Sequence, residues 1–221
     1  FENIGFQGKA ITVASHFILD GDTSHISRTV IDGSQASNPD KASVVTFNNC
    51  KDTTSVLNGF TITGGKGITK KDFDHLTRAA GGIAIFESGG LVINNIIRGN
   101  SISAESGYYA FGGGIQVFNF ASYKNVVIRN NRIFNNHISG SHYSQGGGIF
   151  VAANEDTIII ENNRIYQNSA TSSANWEVQG GGIQLHTSFP WSTIMIVKNN
   201  HIYENELHCA GSHGGGISLI F

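Results

Sequence analysis

The stretch Gly146-Gly147-Gly148-Ile149-Phe150-Val151, followed by Ile158-Ile159-Ile160-Glu161-Asn162-Asn163-Arg164-Ile165-Tyr166-Gln167-Asn168, recurs along the chain. It returns at residues 112–117 with 127–136, and again at 180–185 with 196–205. A weaker copy occupies 81–85 with 91–100, and a half copy occupies 214–219. The isoleucine after the glycines falls at 83, 115, 149, 183 and 217, spacings of 32, 34, 34 and 34. A fixed period of this length is the mark of a stacked architecture, in which each repeat buries its apolar face against its neighbours.

Within a repeat the apolar runs are short, rich in Ile and Val, and alternate: Ile149 and Val151 point one way, Phe150 the other. No apolar stripe at helical spacing occurs, so the pattern predicts almost no helix. Strands that recur once per repeat in the same direction pair in parallel, each coil about 4.8 Å above the last. The expected fold is all-β, a right-handed parallel β-helix (solenoid) of about six coils. Asn95, Asn131, Asn163 and Asn200 fall two residues before an inward isoleucine, and Asn100, Asn136, Asn168 and Asn205 three residues after it. Two registered columns predict stacked amide ladders, with asparagine also tolerating the left-handed backbone of a tight corner. The glycine triplets are read as corners. They lack the G-x-G-x-x-G and P-loop spacings of nucleotide sites, and the periodic Asp of a Ca²⁺-binding β-roll is missing.

The pattern GGGI-x-V … I-x-N-N-x-I-x-x-N resembles the repeats of the pectin-lyase-like superfamily of right-handed parallel β-helices. The opening segments Gly8-Lys9-Ala10-Ile11-Thr12-Val13, Thr29-Val30-Ile31-Asp32-Gly33 and Leu57-Asn58-Gly59-Phe60-Thr61-Ile62-Thr63-Gly64-Gly65 are similar to the start of bacterial β-helix repeat proteins. The resemblance covers essentially the whole chain and implies the fold and an extracellular or cell-surface location. It does not imply one activity, because lyases, glycosidases, esterases, adhesins and phage spikes share the architecture.

Residues 1–221 read as one domain: N-terminal coils over 1–65, a charged loop insertion over 66–80, and the GGGI/NNxIxxN repeats over 81–221. Strands are expected near 10–13, 29–31, 44–47, 56–57 and 60–62. Asp20, Asp22 and Asp32 beside glycines read as turn residues. Charged residues are 14% and the formal net charge is -2, which argues against a nucleic-acid partner. No apolar run is long enough for a membrane span, and no signal peptide is recognisable. The chain closes halfway through a repeat, so it reads as part of a longer protein, and open ends or adjoining domains are expected to allow self-association. Cys50 and Cys209 lie about four coils apart, too far for a disulfide.

The interruptions at 66–80, 101–111, 137–145, 169–179 and 206–213 all fall before a glycine corner, so stacking puts five loops on one side. That side collects Tyr108, Tyr109, Phe111, His142, Tyr143, Trp176 and Glu177 with His208 and His213. Gln116, Phe150, Gln184 and Ser218 stack beneath as outward residues of the glycine-led strand, with Phe118 and His186 in the next column. Aromatic faces beside amides and histidines suit a sugar polymer. The substrate-binding candidates are therefore Tyr108, Tyr109, His142, Tyr143, Trp176, Glu177, Gln116, Gln184 and His186, with polysaccharide as partner. The competing reading has these aromatics covering small satellite cores of their own loops. Lys70, Asp72, His75 and Arg78 supply the residue types of a polysaccharide lyase, a base and a charge-neutralising cation. A hydrolase pair of carboxylates is not apparent. His137 with His142 and His208 with His213 are not spaced as metal ligands; no metal and no cofactor is expected. A second outward face carries Arg132, Arg164 and His201 beside Phe134, Tyr166 and Tyr203, read as structural ladders or as a contact. Three functions fit: a polysaccharide-binding β-helix, a lyase or other carbohydrate-active enzyme, and a structural rod of an adhesin or surface filament.

Overall fold

The computed structural model describes residues 2–72, 75–104, 108–120, 124–173, 176–187, 193–209 and 211–220; for Lys71, Asp72, His75, Leu76 and Tyr108 it describes the backbone. Each lap of the chain contributes one strand to a first sheet (such as Ile115–Asn119 and Ile149–Ala153), one to a second (Asn125–Arg129, Thr157–Glu161) and one to a third (Arg132–Phe134, Arg164–Tyr166). The registers follow the repeat: Ile83, Ile115, Ile149, Ile183 and Ile217 are aligned partners in one parallel ladder. Among the described residues the second and third sheets are six strands deep. About five turns therefore separate first rung from last, slightly fewer than the six coils expected. Among the described residues, helix is confined to Phe17–Asp20 and Ser24–Arg28, in the first coil.

The core is a column of aligned aliphatics. Ile85, Val117, Val151 and Leu185 of the first sheet meet Val92, Ile128 and Ile160 of the second and Ile97, Ile133 and Ile165 of the third. Beside it, Asn95, Asn131, Asn163 and Asn200 form the first amide ladder. The Oδ1 of Asn131, Asn163 and Asn200 accepts from both the backbone N–H and the Nδ2 of the asparagine one coil before, and that of Asn95 from the Phe60 N–H. Asn100, Asn136, Asn168 and Asn205 repeat this at the next corner. The left-handed backbone, however, belongs to other residues. Asn94, Asn130, Asn162 and Asn199 carry φ near +57° at one corner; Gly99, Asn135, Gln167 and Glu204 carry it at the other. In each Asn-Asn pair the first residue bends the chain and the second builds the ladder, because an inward amide needs the extended conformation that follows the bend.

The loop side differs from the sequence expectation. The stretches read as loops contain two further sheets. A fourth is built from Ser101–Ser103, His137–Gly140, Ser169–Ser172 and Glu206–His208. A fifth contains Tyr108–Phe111, Ser144–Gln145, Val178–Gln179 and Ser212–His213. They are strands because the coil above and below supplies the hydrogen bonds that their short, serine-rich sequences would not secure alone. They close a second small core of Ile102, Ala110, Ile138, Ala170 and Val178. Glycine separates the two cores: a Cβ on Gly147 would lie 2.6 Å from the carbonyl oxygen of Gly181 and 2.8 Å from that of Ser169. The charged insertion at 66–80 is a hairpin, Gly67–Asp72 antiparallel to His75–Ala79, whose second strand runs parallel to Tyr108–Phe111. Cys50 and Cys209 are both free thiols.

Candidate functional site

The fifth sheet turns into the first at the leading glycine of each triplet. Gly112, Gly146, Gly180 and Gly214 have φ between +62° and +74°, a conformation that costs glycine little. Ala80 takes the same role in the weaker copy, at φ +58°. The corner folds toward solvent, so side chains on the outer faces of the two sheets meet across it. Phe111 of the fifth sheet stacks on Phe150 of the first, with centroids 4.7 Å apart. The result is a groove of about 360 Å³ running along the stack, lined on one wall by Tyr109, Phe111, Tyr143, Gln145 and Glu177 and on the other by Phe118, Phe120, Phe150 and His186.

The rim is a continuous aromatic cluster. Tyr109 packs edge-on to Tyr143 at 5.4 Å and lies 5.8 Å from His142. His142 stacks on Trp176 at 5.2 Å, and Tyr143 reaches Trp176 at 5.6 Å. Trp176 is 45% exposed. These rings are not the lining of the satellite core, which is aliphatic; Tyr109 alternates with the inward Ala110 along its strand. Four sequence candidates, Tyr109, His142, Tyr143 and Trp176, thus form one patch, and Glu177 and His186 line the groove below it. The side chain of Tyr108 lies outside the described residues.

Polar groups are few and organised. Gln145 Nε2 donates to Gln179 Oε1 at 3.0 Å, and Gln179 Nε2 donates to a Glu177 carboxylate oxygen at 3.1 Å. Gln116 and Gln184 flank Phe150 in the outward column of the first sheet, as expected from register. Both are buried, and each keeps a buried Oε1 with no hydrogen-bond partner. Burial lowers the pKa of His186, so its ring is neutral at neutral pH. Phe120, Gln145 and Gln179 were not among the sequence candidates. Gln145 and Gln179 had a legible signal: with Phe111 and His213 they are the residue immediately before each glycine triplet, one aligned column.

Lys70 and Arg78, two of the lyase candidates, have partners elsewhere. Lys70 Nζ lies 3.5 Å from the centroid of Phe86. Arg78 donates from Nε to the Lys66 carbonyl and from Nη2 to that of Pro39. Their cross-strand partners, Thr77 for Lys70 and Thr69 for Arg78, put the two on opposite faces of the hairpin. The side chains of Asp72 and His75 lie outside the described residues. Among the described residues no three His, Cys, Asp or Glu side chains come together as metal ligands, and no helix is long and apolar enough to cross a membrane. On the other outward face, Phe134, Tyr166 and Tyr203 stack face to face at 4.8 and 5.0 Å, and Arg132 donates to the Tyr166 hydroxyl. Both faces of the Tyr166 ring are spent on its neighbours in the column.

A five-sheeted parallel β-solenoid with an aromatic groove along one corner is the class of protein these features define. The chain belongs to the right-handed β-helix family: the family model described as "Right handed beta helix region" matches residues 15–220. No curated protein and no solved structure matches it.

Proposed function

We propose that this protein binds a polysaccharide along the groove between its fifth and first sheets, in an extracellular or cell-surface setting. The observation that carries the reading is the joined patch of Tyr109, His142, Tyr143 and Trp176 above a groove floored by Phe150. Aromatic rings with an exposed face bury the apolar face of a pyranose, while amides and carboxylates take up its hydroxyls. A groove that crosses successive coils suits an extended polymer. Binding is favoured over lyase action, since Arg78 is engaged with backbone carbonyls and Lys70 with Phe86.

Affinity electrophoresis of the protein against a panel of neutral and acidic polysaccharides, with absorbance of unsaturated uronates recorded in parallel, tests this. Retardation without product, weakened at least roughly tenfold by Trp176→Ala or Tyr143→Ala, is the expected result. New absorbance lost in Lys70→Ala or His75→Ala would make the protein a lyase. Neither signal on any polymer would leave a structural rod.

A further inference from the structure

No lysine or arginine is among the residues that line the groove. Of the 14 Lys and Arg residues, eight precede residue 81, and the other six are Arg98, Lys124, Arg129, Arg132, Arg164 and Lys198. Arg98, Arg132 and Arg164 stand in the third sheet. Arg129 and Lys198 stand in the second, both paired to Glu161. Lys124 precedes a second-sheet strand and donates its backbone N–H to Asp156. None lines the groove from Tyr109 to Ile220. Its charged group is the exposed carboxylate of Glu177, and the amides beside it are committed in one direction, Gln145 to Gln179 to Glu177. Gln116 and Gln184 are buried beneath and do not line the groove. Among the described residues the groove presents a carboxylate and no cation.

We propose that the groove selects uncharged, hydroxyl-rich chains and rejects chains that carry a carboxylate on their sugars. This rests on the polysaccharide reading above and names its substrate class. A sugar hydroxyl donates to Glu177 or to a glutamine oxygen and keeps its own acceptor capacity for Gln145 or the tyrosine hydroxyls. A sugar carboxylate donates nothing, meets the Glu177 carboxylate as a like charge, and loses water without gaining a counter-ion.

The test compares one polymer backbone in two charge states: an uncharged β-glucan and the same glucan carboxymethylated, titrated into the protein at low ionic strength. The uncharged chain is expected to bind roughly tenfold or more tightly than the charged one. Added salt should narrow the gap, as should Glu177→Gln, and Glu177→Lys should raise affinity for the charged chain. Thermal melts of Glu177→Gln should match the parent, because Glu177 is exposed and the glutamine keeps an oxygen for the Gln179 amide. Equal or tighter binding of the charged glucan, still lost in Tyr143→Ala, would overturn the selectivity and leave the groove as the binding site. No binding of either glucan, with none of the panel retarded, would overturn the polysaccharide reading itself.

Discussion

The Oδ1 of Asn163 accepts two hydrogen bonds from Asn131, one from its backbone N–H at 2.9 Å and one from its Nδ2 at 3.1 Å. The Nδ2 of Asn163 in turn donates to the Ile128 carbonyl and to Asn200. One side chain therefore ties three coils at a corner where the backbone has left its sheet ladder. Asn163→Ala would strand a buried donor on Asn131 and leave the Ile128 carbonyl and the Asn200 amide short of a partner. The expected loss is about 2–4 kcal/mol, since abandoned buried polar groups cost more than a hydrogen bond contributes. Chemical denaturation of the variant checks this. A loss near zero would mean that water enters the corner and replaces the ladder.

Gly147 makes a different prediction. Its Cβ would fall 2.6 Å from the Gly181 oxygen, a backbone atom that cannot rotate away. Gly147→Ala must push successive coils apart at the partition between the two cores. A destabilisation of roughly 3 kcal/mol or more is expected. Gly211, where an added Cβ meets nothing within 4 Å, serves as the control, and Gly211→Ala should melt within a degree or two of the parent. Comparable losses at both sites would contradict the steric account.

These residues also show what a sequence can and cannot convey here. Ile83 to Ile217 and the two asparagine columns were legible because a solenoid turns sequence period directly into spatial register; nothing about loop closure needs to be guessed. The fourth and fifth sheets were not, because Ser101-Ile102-Ser103 or Ser144-Gln145 have no strand signature of their own and become strands only when the neighbouring coil pairs with them. The rim residues Tyr109, Tyr143 and Trp176 could be placed on one side from the period alone. That Phe111 touches Phe150 could not, because the outward fold of the corner depends on the sign of φ at Gly112 and Gly146. The scattered cations of the hairpin looked like a catalytic set in sequence, yet alternation along its strands separates Lys70 from Arg78.

Gln184 tests whether the first sheet keeps a polar group at the expense of stability. It is fully buried, its Nε2 donates to the Leu185 carbonyl at 3.2 Å, and its Oε1 has no partner. Replacing an unsatisfied buried polar group by an apolar one of similar shape is near neutral or stabilising. Gln184→Met should therefore raise the unfolding free energy by about 1 kcal/mol, which chemical denaturation checks. A destabilised variant would show that the Gln184 oxygen finds a partner in solution.

Asp156 gives the pH dependence. It is 2% exposed, its Oδ1 accepts the Lys124 backbone N–H, and its Oδ2 is buried without a partner. Burial, assisted by the charge of Glu87, raises its pKa from 3.8 to about 6. Below about pH 4 both folded and unfolded chains hold this proton and the fold carries no penalty from it. As pH rises through the interval from 3.8 to about 6, the unfolded chain releases the proton first, so stability falls. Above that interval a buried carboxylate costs the fold on the order of 2 kcal/mol. Asp156→Asn keeps an oxygen for the Lys124 amide and never ionises. The variant should thus gain stability relative to the parent between about pH 4 and about pH 7, with denaturation midpoints converging on the acid side. Comparing the two proteins at each pH cancels the titration of every other carboxylate. A difference that stays constant across this range would show that Asp156 is already ionised at low pH, and that its unpaired oxygen is hydrated in solution.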